Sequence, residues 1–357
     1  MNLLRHAART YRARPRRRVI TRRVERSSSS LSVVVVAYRS GPSLQRCLRA
    51  VHEDSPEADV IVVDNGGADL GKERGRVVAA AANLGYAGGA RLGAREARGE
   101  TLVFLNQDAV VEPGALAHLA RTVADPGIGI AMARLRLLER PELLNSGGTV
   151  VHVSGIAWAG RYGENAEAVR ELEEVPAPSG AALAIRRGLY EELGGFSAEL
   201  FMYLEDLELG WRARLHGLSV VVQPAADVLH EYEFSRNREK LALLERNRLV
   251  FVLSSYSLRL LLLLGPVLGA IEVGMLALAV RQGWLRGKVG GWWWMASRLG
   301  WLRQHRRDTQ RLRRVRDREL ARFLTPTLDP KMIGLPRGAG VLNAAIERYW
   351  RVVEKLL

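Results

Sequence analysis

Three short runs rich in β-branched residues set the limits on what this chain can become. They are Leu31-Ser32-Val33-Val34-Val35-Val36-Ala37-Tyr38, Asp59-Val60-Ile61-Val62-Val63 and Thr101-Leu102-Val103-Phe104-Leu105. Each is apolar almost throughout, so each must be covered on both faces, as strands of a parallel sheet are. Helical patterning follows the first run over about 43–52, Val77-Val78 opens a weaker strand, and a small-residue helix runs to about Arg98. Pro113-Gly114 starts a further helix. Strand–helix alternation at intervals of 25–30 residues predicts an α/β fold with a Rossmann-like, mainly parallel sheet flanked by helices. In such a sheet the ligand crevice lies outside the carboxyl ends of the strands. Those ends carry Tyr38, Asp64-Asn65 and Asn106-Gln107-Asp108. Asp, Asn and Gly are also ordinary turn formers, a reading that accounts for one such end more easily than for three.

The second half is less regular. Residues 145–179 read as loop-rich, and a strand follows over 180–185 with a helix to Leu193. Gly194-Gly195-Phe196 then introduces Phe201-Met202-Tyr203-Leu204-Glu205-Asp206-Leu207-Glu208-Leu209, the head of a helix with Gly217 as its stop. Successive helical residues project about 100° apart, so Glu205 and Asp206 are expected to serve different faces. Acidic residues in a first turn also complement the helix dipole for its own sake, and Glu208 with Arg212 is an i,i+4 pair. Val220-Val221-Val222 is a strand, His230 comes soon after it, and 235–257 is helical.

Several classes are disfavoured. Gly85-Tyr86-Ala87-Gly88-Gly89 is not G-x-G-x-x-G and follows the third strand, which speaks against dinucleotide binding. There is no P-loop and no Ser-His-Asp elbow. The net charge is +15, but it is concentrated in the flanks: +9 over 1–30 and +10 over 281–318, with −6 over 31–280. Basic flanks on an acidic body suggest attraction to a polyanionic surface. Cys47 is the only cysteine, which predicts a reducing compartment. No apolar h-region opens the chain, so no secretory signal is expected.

With these pieces in order, the chain resembles family 2 glycosyltransferases of the GT-A fold, and within them the rhamnosyltransferase-like bacterial branch. The resemblance rests on five motifs and covers roughly 31–250. They are the Val-rich strand ending Ala37-Tyr38, Val63-Asp64-Asn65, Asn83-x-Gly85-Tyr86-Ala87-Gly88-Gly89, Leu105-Asn106-Gln107-Asp108, and Gly194-Gly195-Phe196 with Tyr203-x-Glu205-Asp206-x-Glu208-Leu209. It implies that Ala37, Tyr38 and Asp64 contact the base and ribose of a nucleotide sugar. Asn83 and Gly85 would form the turn that closes over it, with Asn106 beside the diphosphate. Asp108 matches the last carboxylate of the family's Asp-x-Asp motif and His230 a histidine ligand, together holding Mg²⁺ or Mn²⁺. Asp206 would then be the general base for an acceptor hydroxyl, and Glu205 would orient acceptor hydroxyls.

The resemblance implies an inverting transferase that moves a sugar, L-rhamnose from dTDP-rhamnose first, to a lipid-linked or polysaccharide acceptor in cell-envelope assembly. A UDP-sugar donor, such as UDP-galactofuranose, is the alternative. A silent GT-A scaffold that binds membrane or nucleic acid is the reading from another class. The expected organisation is a basic disordered arm (1–30), a GT-A domain (31–255) and a helical, basic, membrane-associated region (256–357). Residues 260–280 hold one ionisable side chain, Glu272, and are long enough to span a bilayer at about 1.5 Å each. Gly265-Pro266 and a central Glu favour an interfacial or shallowly inserted helix over a span or a buried core helix. Trp284, Trp292, Trp293, Trp294 and Trp301, followed by the Arg-rich 303–318 run, suit a headgroup layer. The protein is therefore expected at the cytoplasmic face of the membrane, against anionic lipid, with no nucleic-acid partner and with its oligomeric state open.

Overall fold

The computed structural model describes residues 30–39, 41–68, 75–231, 237–329 and 339–357. All but the last residue of the basic arm expected over 1–30 lies outside these. The first half follows the alternation read from the sequence: β1 (Leu31–Ala37), α1 (Pro42–Asp54), β2 (Asp59–Asp64), β3 (Arg76–Ala79), α2 (Gly85–Glu96), β4 (Thr101–Asn106), β5 (Ala109–Val111), α3 (Ala115–Val123) and β6 (Ile128–Leu137). Strands β1, β2, β3 and β4 pair in parallel, with Ala37 opposite Asp64 and Val36 opposite Asn106. That register brings their polar ends to one level. The Val-rich strands are buried on both faces, as their composition requires. Helix α2 lies close on the sheet, since a Cβ on Gly93 would run into Val34 and Val63 of β1 and β2.

The sheet also contains antiparallel strands. After β6 come β7 (Leu144–Ser146), β8 (Thr149–His152), β9 (Ala157–Ala159), β10 (Glu173–Glu174), β11 (Ala182–Arg186), α4 (Arg187–Glu192), α5 (Glu205–Leu215) and β12 (Ser219–His230). The strand order is β10-β12-β6-β11-β4-β1-β2-β3. Strand β11 is antiparallel to both neighbours, β4 and β6. No long crossover helix separates β6 from β11, so the chain has nothing to carry it back to the amino edge, and it re-enters from the carboxyl side. The stretch expected to be loop over 145–179 contains a second small sheet, in which β8 pairs β9. The strand expected at 220–222 continues to His230, which is its last residue.

Beyond β12 the chain is helical: α6 (Arg238–Ser255), α7 (Leu258–Arg281), α8 (Leu285–Ser297), α9 (Leu299–Arg311), α10 (Asp317–Ala321), the short β13 (Leu324–Thr325) and α11 (Ala339–Leu356). The residues on either side of position 255 share a core. Trp211 of α5 and Phe251 of α6 pack with Tyr256, Leu260, Leu264, Phe323 and Trp350, and β13 pairs with β8. The last carbonyls of α6, which no helical N–H can reach, are met from α9 and the residues just after it. Arg306 donates to Leu253 and Tyr256, Gln310 to Ser254 and Ser255, and Arg313 to Ser255. Part of the Arg-rich run therefore caps a helix instead of facing a headgroup layer. The tryptophans divide likewise: Trp284 is buried and Trp292 donates to Glu272, while Trp293 is 73% exposed.

Candidate active site

Strand pairing assembles the first part of the site. Strand β5 runs antiparallel to the end of β12, setting His230 opposite Ala109, and Glu231 N–H donates to the Asp108 carbonyl at 3.1 Å. His230 Nε2 consequently stands 3.3 Å from Asp108 Oδ1 and 3.3 Å from Asn106 Nδ2. On the other side of the ring, His230 Nδ1 is 3.1 Å from Asn145 Oδ1. An amide oxygen can only accept, so this contact puts a proton on Nδ1 and leaves Nε2 directed toward Asp108. A neutral imidazole nitrogen and a carboxylate oxygen aimed at one space suit a divalent cation. Among the described residues no third His, Cys, Asp or Glu joins them, so further ligands would be phosphate or water oxygens.

The residues expected to contact a nucleotide gather at the ends of β1 and β2 and at the start of α2. Tyr38 N–H donates to Gln107 Oε1 at 2.8 Å, fixing the Ala37-Tyr38 segment to the β4–β5 turn. Asp64 Oδ1 accepts from Gly66 and Ala68 N–H at 3.0 and 3.2 Å. Asn65 is buried and binds the turn directly. Its amide donates to Asn83 Oδ1 and the Gly85 carbonyl, and its oxygen accepts from Leu84 N–H at 2.8 Å. Gly85 has φ +67°, and a Cβ there would collide with the Phe201 backbone. That close approach joins the turn at Asn83–Gly85 to the stretch leading into α5.

The approach to α5 is strained. Phe201, Tyr203 and Leu204 have φ of 66°, 73° and 64°, costly for side-chain-bearing residues. Asn247 of α6 compensates: its buried amide lies 2.7–3.0 Å from the carbonyls of Leu200, Met202 and Tyr203. The bend delivers Glu205 and Asp206 to a single cavity of about 1240 Å³, lined also by Tyr86, Asn106, Asn145 and His230. The two carboxylates do not serve opposite faces, because the strained turn tips the first helical residues into the same opening. Asp206 Oδ2 accepts from Gly180 N–H at 2.6 Å, while Glu205 Oε2 is buried with no partner among the described residues. Burial pushes the Glu205 carboxyl well above the ordinary carboxylate range, and the Asp206 charge pushes the same way. Burial raises Asp206 as well, outweighing the Leu207 and Gly180 amides that favour its ionised form. One turn on, Glu208 behaves oppositely. Burial alone would raise it, but Arg212 and His305 outweigh that and hold it at about 2. This pair was expected as an ordinary helical i,i+4 contact, and it is fully buried because α9 packs over it.

The residues named from the sequence thus fall into two adjoining groups. Ala37, Tyr38, Asp64, Asn83 and Gly85 stand at the strand ends; Asn106, Glu205, Asp206 and His230 line the cavity, with Asp108 at the seam. Gln107, Asn145 and Asn247 were not singled out. Gln107 and Asn145 sit in polar stretches that could have drawn notice, whereas nothing local marks Asn247.

A model of the family described as glycosyltransferase like family 2 matches residues 28–250. The chain is 28% identical over 248 residues to an N-acetylglucosaminyl-diphospho-decaprenol L-rhamnosyltransferase of Mycobacterium tuberculosis, covering 58% of this chain and 78% of that protein. It is 31% identical over 157 residues to the O-antigen biosynthesis protein RfbC of Myxococcus xanthus, 41% of this chain and 12% of that one. Among solved structures it resembles GalNAc-T7 with UDP, GalNAc and Mn²⁺ at TM-score 0.54 and 18% identity, over 64% of this chain and 48% of that chain, about half its length. S. aureus TarS 1–349 with UDP-GlcNAc is similar at TM-score 0.51 and 15% identity, over 91% of this chain and 90% of that chain. At these identities the structural likeness speaks to the fold, which is that of GT-A glycosyltransferases.

Proposed function

This chain belongs to glycosyltransferase family 2, and we propose that it is an inverting enzyme that transfers a sugar from a nucleotide diphosphate to a hydroxyl of a lipid-linked acceptor at the membrane surface. The observation that carries this reading is the meeting of Asp108, His230 and Asn106 with Glu205 and Asp206 around one cavity at the strand ends. A cation held by Asp108 and His230 would neutralise charge on the departing diphosphate. Ala37, Tyr38, Asp64, Asn83 and Gly85 would hold the nucleoside, the first two through the Gln107 brace. Asp206 would take the proton of the acceptor hydroxyl; its raised affinity for protons suits a base. Glu205, beside it, would orient the neighbouring hydroxyls. The rhamnosyltransferase of M. tuberculosis supports L-rhamnose as the first donor sugar to test.

Helix α7 supports the placement at a membrane. It is long and apolar enough to cross one by length and composition, and Leu258, Leu262, Val273 and Val280 are 60–71% exposed. Glu272 does not face that side, since its carboxylate is bound by Arg248, Lys288 and Trp292. A helix lying on the cytoplasmic leaflet accounts for both faces. The test is equilibrium binding of dTDP, UDP and GDP to the full chain, with and without Mn²⁺. Binding of dTDP strengthened by Mn²⁺ is expected. A preference for UDP would replace the donor, and a folded protein that binds none of the three would overturn the transferase reading.

A further inference from the structure

A short strap of backbone spans the cavity between Asp206 and Asn106. It is Ala177-Pro178-Ser179-Gly180-Ala181, which leads into β11. It lies against α5: a Cβ on Gly210 would run into Pro178, and one on Gly180 would stand 3.2 Å from Asp206 Oδ2 and 3.3 Å from Asp206 Cβ. Both ends are pinned to strands. At the first, Thr149 of β8 donates its N–H to the Ala177 carbonyl and its hydroxyl to the Pro178 carbonyl, each at 2.9 Å. At the second, Asn106 N–H donates to the Ala181 carbonyl at 2.9 Å. Between the pins Gly180 meets the base, giving its N–H to Asp206 Oδ2 at 2.6 Å.

The Gly180 carbonyl is held from α2. The Tyr86 hydroxyl donates to it at 3.0 Å. Tyr86 is half-buried in the cavity wall, its ring edge-on to Phe196 with 6.0 Å between centres. The first turn of α2 is itself fixed, since Gly85 meets the Phe201 backbone and Ala87 N–H donates to the Phe201 carbonyl at 3.0 Å. Glycine has the loosest backbone of any residue, yet a side chain at 180 would crowd Asp206. The strap therefore needs a hold from outside at the position where it must stay bare.

We propose that Tyr86 is a positioning residue for the base. Its hydroxyl fixes Gly180, and the Gly180 N–H in turn sets where the Asp206 carboxylate stands. The far pin belongs to Asn106, whose side-chain amide also meets His230 Nε2. The strap thus works as a spacer between the base and the Asp108–His230 pair. In an in-line displacement the base and the leaving group act on opposite sides of one carbon, and rate falls steeply when their separation drifts. This rests on the transferase reading and adds to it the residue that keeps the base in register.

Tyr86→Phe keeps the ring and removes the hydroxyl, while Gly180→Ala crowds the base directly. The Asp206 carboxyl is followed by carboxyl-carbon NMR in the full chain labelled at aspartate, its signal assigned with Asp206→Asn. Glu205 titrates beside it, so each titration is repeated in Glu205→Gln. Thermal melts and calorimetric binding of dTDP and UDP run in parallel. Tyr86→Phe should raise the pH at which Asp206 titrates by about one unit, because a loosened Gly180 N–H favours the carboxylate less. Its melting temperature and nucleotide affinity should match the wild type. Nucleotide release from dTDP-L-rhamnose should lose about tenfold in kcat at unchanged KM, and Gly180→Ala should lose more. An Asp206 titration that stays in place in folded Tyr86→Phe overturns the positioning role. So does weakened nucleotide binding or a raised KM, which would make Tyr86 a substrate contact. A wild type that binds neither nucleotide removes the transferase reading, while the titration still reads the link from Tyr86 to Asp206.

Discussion

Two clusters of charge border the same cavity and are completed in opposite ways. Behind it, Glu245, Arg248, Glu272 and Lys288 form a closed set. Both oxygens of Glu245 and both of Glu272 meet a cation, and the Trp292 indole adds a further bond. In front, Glu205 keeps a buried oxygen with no partner among the described residues, and Asp206 is held by backbone amides alone. A closed set rivets α6, α7 and α8 together, whereas an open one is costly to bury and becomes useful when a substrate arrives. Burial by itself therefore does not distinguish the two clusters; completeness of pairing does.

The largest expected effect falls on the open set. Asp206→Asn should lower transfer by about a thousandfold, within the range of a lost general base, with nucleotide binding nearly intact by calorimetry. Loss of nucleotide binding in that variant would move Asp206 to the donor side. The closed set should answer in stability instead. Lys288→Met leaves two carboxylates short of a partner and should cost about 3 kcal/mol in chemical denaturation, without altering affinity for the nucleotide. A stable Lys288→Met protein would dissolve the distinction between the clusters.

The smallest effect is one of sign. A carboxyl whose proton affinity is raised by folding loses stability as pH rises through its folded value, so Glu205→Gln should raise Tm at pH 7 and lose that advantage on acidification. Glu208, paired with Arg212 and His305, runs the other way. Its contribution is present above the ordinary carboxylate value of about 4.3 and is lost as pH falls toward about 2. Glu208→Gln should therefore lower Tm at pH 7 and converge with the wild type in acid. Thermal melts across pH that show one slope for both variants would refute the assignment.

The strands and the level of their polar ends were legible, because double-sided burial leaves a run of Val and Ile that little else produces. Asp108 and Asp206 were named from the ordered motifs, and His230 from its distance along the chain after Asp206. Their mutual distance was not legible, since it depends on β5 pairing with the far end of β12, a contact across 121 residues that leaves no local pattern. The reversal of β11 was missed for a related reason: an apolar five-residue strand reads the same in either direction. The tail misled more. Trp and Arg have one composition whether they meet lipid or protein, and only packing separates Trp293 from Trp292, which bonds Glu272 of α7, and Arg303 from Arg306, which caps the end of α6.

Helix α6 holds Lys240 against Tyr203, Leu244 in the cavity wall, Asn247 on the strained turn and Arg248 in the closed cluster, all within nine residues. In hereditary terms these are linked traits. A substitution along this helix would disturb the cavity wall, the strained turn before Glu205 and the seat of the tail in the same step. Change would be tolerated more readily on α7, where Gly274 and Met275 line the same cavity while the Asn247 bonds to the strained turn stay in place. The two helices thus divide the enzyme's future between a side that resists drift and a side that can explore.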